Sequence, residues 1–336
     1  MAGKKKKSEE AQSRISQALS DAIKVPLYDK FYDHFVQKVY DGEEVEENNE
    51  EKFIQWIENR LKPNLFFLDK EDYLESCIDS LKTVYAVAST DYGSSRQRDK
   101  AQLWSDMTRG YLGEIAVRKK FASDFNIQAK LAHQPGKLAD FTGSDLPFVK
   151  KAGDKNFRNA KINISIKTTK WNGIWMDVPG SQYDHSDYFV LTKINTGTDH
   201  LMAFLKEMGF FETVMKKGIE KKLLSELEKK MVSKQISDFS KLGLFCYVCG
   251  IHKKKKNNTK LVYKGKKGRI HYTVTSAEGY LRPGYEEEIK KKEELSDKAK
   301  VKFQSIGEFT SVNKFIVNAG RLQFAKKDWQ EIASRI

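Results

Sequence analysis

Residues Lys161-Ile162-Asn163-Ile164-Ser165-Ile166-Lys167-Thr168-Thr169 decide the fold. Ile162, Ile164 and Ile166 alternate with Asn163, Ser165 and Lys167, and a side-chain period of two sorts them into a β-branched face and a polar face. The stretch therefore reads as a strand in which Ser165 and Lys167 point the same way. Upstream, Leu138-Ala139-Asp140-Phe141-Thr142-Gly143 sets a carboxylate among small and apolar residues, just before the turn signal Asp145-Leu146-Pro147. Asp140 is expected at the end of a short strand whose continuation returns to the Lys167 strand, so that an acid and an amine converge.

Asp140 followed by Ser165-Ile166-Lys167 resembles the PD-(D/E)XK nuclease superfamily, whose core carries an aspartate and then, on the next strand, an acidic residue and a lysine two positions later. Serine stands where most members have Glu or Asp, similar to some type II restriction endonucleases that recruit the second carboxylate from elsewhere. The best candidate is Glu114, in Gly110-Tyr111-Leu112-Gly113-Glu114-Ile115 on the preceding helix. Met107, Tyr111, Glu114, Arg118 and Phe121 share one helical stripe, which turns Glu114 towards the body of the protein, where a carboxylate needs a partner or a metal. Asp177, Asp184 and Asp187 are fallbacks. A salt link from Glu114 to Arg118 or Lys119 is the plainer alternative.

The resemblance implies an α/β fold, a central mixed sheet flanked by helices with a restriction-endonuclease-like core, and helical spacing of apolar residues before it adds an N-terminal helical subdomain. It further implies a divalent-metal-dependent, sequence-specific endodeoxyribonuclease acting on double-stranded DNA, a type II restriction enzyme. Asp140 and Glu114 would hold Mg²⁺, with Mn²⁺ as a substitute, and Lys167 would orient and help deprotonate water. Ser165 would hydrogen-bond a metal-bound water or Lys167. A palindromic site would favour a two-fold homodimer. Two alternatives stand beside it: a catalytically degenerate nucleic-acid-binding protein, and a DNA-repair or RNA-processing nuclease on the same core.

Composition agrees with a polyanionic partner. Lys and Arg number 60 against 46 Asp and Glu, a formal net charge of +14 over 336 residues. No stretch approaches the roughly 18 uncharged apolar residues of a membrane span, and no apolar run follows the basic start, so a cytoplasmic protein is expected. Three cysteines, Cys77, Cys246 and Cys249, make no disulfide framework. A Walker-type phosphate loop is absent, so no nucleotide cofactor is expected.

Along the chain, residues 1–98 read as the helical subdomain and 99–336 as the nuclease core. Lys4 to Lys7 look like a frayed start or basic arm, and helices follow on Ile15, Leu19 and Ala22, on Phe31, Phe35 and Val39, on Phe53, Trp56 and Leu61, and on Leu74, Ile78, Leu81 and Tyr85. The turn-rich stretch 89–98 marks the boundary and offers Arg96 and Arg98 to DNA. Strands are expected at 174–178 and 186–192, joining the Asp140 and Lys167 strands in one mixed sheet. Residues 244–252 read as a buried strand whose Cys246 and Cys249 pack as small apolar groups rather than bind zinc. Near 253–269, Lys253, Lys254, Lys255, Lys266, Lys267 and Arg269 belong to a lysine-rich insertion, either a hairpin touching phosphates or an exposed loop. A charged helix over 286–302, a strand near 313–317 and a capping helix complete the chain.

Overall fold

A computed structural model describes residues 2–23, 50–85, 99–132, 143–255, 259–308 and 313–336. Its helices are α1 (Ala2–Ile23), α2 (Glu50–Trp56), α3 (Lys70–Val84), α4 (Lys100–Phe125), α5 (Gly180–His185), α6 (His200–Glu207), α7 (Phe210–Glu220), α8 (Glu226–Gln235), α9 (Tyr285–Lys292) and α10 (Lys326–Arg335). Its strands are β1 (Leu65–Phe67), β2 (Ile127–Lys130), β3 (Phe148–Lys151), β4 (Arg158–Asn159), β5 (Ile164–Lys170), β6 (Trp175–Pro179), β7 (Tyr188–Asn195), β8 (Phe245–Lys253), β9 (Val262–Lys267), β10 (His271–Leu281), β11 (Lys300–Phe303) and β12 (Lys314–Asn318). The fold is mixed α/β.

The Lys167 strand is β5, at one margin of a four-stranded sheet ordered β1-β8-β7-β5. β5 runs parallel to β7, and β8 runs antiparallel to both β7 and β1. β7 and β8 are nearly continuous apolar runs because both their faces are covered. Ile164, Ile166 and Val190 join a core with Leu112, Ile115 and Ala116 of α4. Phe189, Leu191 and Tyr247, of opposite parity, face a second core built with Ile15, Leu19, Phe53, Val178 and Phe315.

β6 departs from the expected sheet. The turn at Trp171-Asn172-Gly173, closed by Gly173 N–H donating to Lys170 O at 2.8 Å, takes the chain to β12 in a second sheet. That sheet runs β11-β10-β12-β6, with β9 also paired to β10. In β10 the buried positions switch from Tyr272 and Val274 to Ala277 and Leu281 because the register shifts between Val274 and Ser276. A bulge there resets which parity faces the core. The charged helix expected over 286–302 stops at Lys292, Glu294 takes a left-handed φ of 51°, and Val301 and Phe303 then alternate into a third core as β11.

Two helices also differ from the expected pattern. The Lys4 to Lys7 run lies within α1, whose later turns are anchored by buried Ile15, Leu19 and Ile23 and whose Ala, Lys, Glu and Gln content propagates helix well. On α3 the apolar stripe faces outward: Ile78, Leu81 and Tyr85 are exposed, while Tyr73, Ser76, Cys77, Ser80 and Thr83 are buried. Small residues let α3 approach α4 closely, and Ser80 Oγ lies 2.9 Å from Thr108 Oγ1. The expected helix of Phe31, Phe35 and Val39, and the boundary at 89–98, lie outside the described residues.

Candidate active site

The free edge of β5 is capped by the turn at 143–147. Asp145 N–H donates to Ile164 O at 2.9 Å, and Asp145 Oδ2 accepts from Ile166 N–H at 2.5 Å. Ser144 Oγ accepts from Ile164 N–H at 3.1 Å. A carboxylate is thereby fixed at the edge of the strand, between Ser165 and Lys167 in sequence register. Sequence reasoning treated Asp145 only as a turn former. Asp140 lies outside the described residues, five positions before Asp145.

Ser165 is buried and Lys167 half-buried, and Lys167 Nζ donates to Gln182 Oε1 of α5 at 2.7 Å. Both belong to the face of β5 opposite Ile164 and Ile166, hence opposite α4. Glu114 is half-buried on α4, between Tyr111 and Arg118 on one stripe. The plain pairing of Glu114 with Arg118 or Lys119 is not what the structure records: Arg118 grips Glu75 with two bonds of 2.6 and 2.7 Å, and Lys119 pairs with Asp72. The Tyr111 hydroxyl is pushed up to about 12, first by burial, against the opposing bond from Thr83, and then by the negative field of Glu114, Asp79 and Asp145. Glu114 and Asp145 thus share the neighbourhood of Tyr111. Lys167 and the Glu114 helix lie on opposite faces of β5.

Carboxylate oxygens are the donors a hard divalent cation takes. Among the described residues there is no group of three or more His, Cys, Asp or Glu side chains arranged to hold a metal. Glu114, half-buried on α4, is the carboxylate that the described residues offer from the expected pair. Two of the fallback acids are engaged within the fold: Asp177 pairs with Lys314 at 2.9 Å and Asp187 Oδ2 accepts from Asn163 N–H at 2.8 Å. Cys246 faces the first core and Cys249 the second, so the two thiols cannot share one tetrahedral site. Burial pushes the Cys246 thiol up to about 12.

Of the proposed phosphate contacts, Arg96 and Arg98 lie outside the described residues. Lys253 pairs with Glu331 and Lys255 with Glu278, so this part of the cluster is locally neutralised. Residues 262–281 do form a hairpin, β9 with β10, on which Lys264, Lys266, Lys267 and Arg269 are exposed. Lys267 Nζ donates to Glu294 O at 3.1 Å.

The sequence did not point to a cleft of about 460 Å³ at the C-terminal ends of β5 and β7, lined by Asp106, Arg109, Thr169, Lys170 and Asn172 among others. Arg109 Nε donates to His200 Nε2 at 3.0 Å, so Nδ1 carries the ring proton and faces the Tyr73 hydroxyl at 2.5 Å. Burial, and secondarily Arg109, push His200 down to about 4. No family model, curated protein or solved structure matches the chain.

Proposed function

We propose that the protein is a divalent-metal-dependent endodeoxyribonuclease of the PD-(D/E)XK type, a type II restriction enzyme acting as a homodimer on duplex DNA. The observation that carries this reading is the β5 edge, where Ser165 and Lys167 share one face of the strand beside a turn pinned by Asp145, while the helix bearing Glu114 packs on the other face. Asp140, five positions before Asp145 in the chain, lies outside the described residues.

A bound Mg²⁺, held by Asp140 and Glu114, would lower the pKa of a water ligand and offset phosphate charge. Lys167 orients the attacking water and balances charge on the scissile phosphate. The water oxygen forms the new bond to phosphorus, the bond to the leaving sugar oxygen breaks, and that oxygen takes a proton. Ser165 hydrogen-bonds Lys167 or water. The Lys167–Gln182 bond, in place of a bond to an acid, favours a second reading, a degenerate nuclease fold that binds without cutting.

Wild type and Lys167→Ala incubated with long duplex DNA in Mg²⁺ decide between them on a gel. Discrete fragments from wild type alone are the expected result. Binding with no cleavage in Mg²⁺ or Mn²⁺ would establish the second reading, and equal cutting by both proteins would remove Lys167 from the site.

A further inference from the structure

The second sheet carries a pocket of about 410 Å³ that the β5 site does not use. Three tyrosines from three elements line it, Tyr263 of β9, Tyr280 of β10 and Tyr285 of α9, together with the exposed cations Lys260, Arg282 and Lys292. We propose that this pocket receives one unstacked nucleotide of a nucleic-acid strand, its base on the tyrosines and its phosphate on the cations.

Lys292 Nζ stands 4.6 Å over the Tyr263 ring and Arg282 6.0 Å over the Tyr280 ring, so both rings turn a face to the cationic side. A ring face that accepts a cation also accepts a nucleobase, and a displaced cation is then placed to meet the phosphate. Gly284, at a φ of 84°, makes the tight turn that brings Tyr285 N–H onto Arg282 O at 3.1 Å and so sets ring beside guanidinium. Glu288 is the one carboxylate among the lining residues, against Lys260, Arg282 and Lys292, and Glu286 accepts from the Tyr285 hydroxyl at 3.2 Å. Its volume lies in the range of small-ligand sites, about 300–1,000 Å³. Lys264 and Lys266 alternate with Tyr263 and leave β9 on its other face, and the surplus of 60 Lys and Arg over 46 Asp and Glu is what favours a nucleotide within a strand over a free one.

The test is calorimetric titration of the full chain in EDTA, which prevents metal-dependent cutting and separates this site from cleavage at β5. The probes are an eight-residue oligothymidylate, a blunt duplex of equal length and thymidine monophosphate. Oligothymidylate should bind at least about tenfold more tightly than duplex, and Tyr263→Leu and Arg282→Gln/Lys292→Gln should each weaken it about tenfold. The charge-matched control Lys216→Gln/Lys217→Gln, on α7, should leave it unchanged. Thymidine monophosphate binding as tightly as the oligomer, and sensitive to the same variants, supports the pocket and makes a free nucleotide its source. Unchanged affinity in folded Tyr263→Leu and Arg282→Gln/Lys292→Gln, or equal loss in the control, overturns the proposal.

Discussion

Gly113 sits where α4 crosses β5 and β7, and a Cβ at that position would lie 2.0 Å from Thr168 Oγ1 and 2.5 Å from Thr192 Oγ1. Neither hydroxyl is free to swing aside: Thr192 Oγ1 donates to Thr168 Oγ1 at 2.9 Å, and Thr168 Oγ1 donates to Gly110 O at 3.0 Å. Gly113→Ala should therefore cost about 2 kcal/mol through overpacking, despite the roughly 1 kcal/mol by which Ala is the better helix former. A urea midpoint equal to or above wild type would contradict that account. Glu114, Ser165 and Lys167 were legible because residue type, order and strand parity mark them. Asp145 was not, because its role is a bond to backbone N–H, which leaves no side-chain pattern. Nor does parity say which face of a strand a helix will cover, so the placement of Lys167 and Glu114 across β5 emerges only in three dimensions.

At the scale of elements, periodicity located β5, β6, β7, β8 and α4 within a few residues, and it misjudged where exposed and buried faces fall. On α3, Leu74, Ile78, Leu81 and Tyr85 keep helical spacing, yet Ile78 and Leu81 are 45% and 44% exposed. The packed face is made of residues that an apolar count passes over: Cys77 Sγ and Ser80 Oγ meet Thr108, and Trp104 Nε1 donates to Cys77 O at 3.0 Å. Close helix contact selects small side chains, so volume rather than hydrophobicity decides this seam. Cys77→Leu should cost about 1–3 kcal/mol, and Ile78→Ser should stay within about 0.5 kcal/mol of wild type. Denaturant unfolding of both variants checks the pair, and the reverse order of costs would mean that the outward stripe is the packed one. β6 joins a sheet other than the expected one for a related reason: sheet partnership depends on where turns send the chain, and a strand's own alternation does not encode its neighbour.

Across the whole molecule, the first and second cores each hold a buried neutral histidine at a margin. His200 lies between Tyr73 of α3 and Arg109 of α4, and His252 stacks on Phe315 at 4.4 Å with its Nε2 3.2 Å from the Tyr183 hydroxyl. Burial is the leading cause that takes each from 6.5 to about 4. A base whose folded pKa is depressed stabilises the fold while neutral. That contribution is fully present above pH 6.5, the unfolded value, and is lost as pH falls towards 4. Between pH 7 and pH 5 the loss comes to about 2 kcal/mol for each histidine. Most carboxylates are still ionised over that interval, so among the described residues the fall belongs chiefly to these two rings. Urea unfolding at pH 7 and pH 5 should show a drop of about 4 kcal/mol in wild type, about half of it removed in His252→Gln. Because the two rings lie in different cores, their effects should add, and His200→Gln with His252→Gln should flatten the profile. A wild-type stability unchanged from pH 7 to pH 5 would mean that both rings reach solvent when they protonate, and that the cores open locally where they are drawn closed.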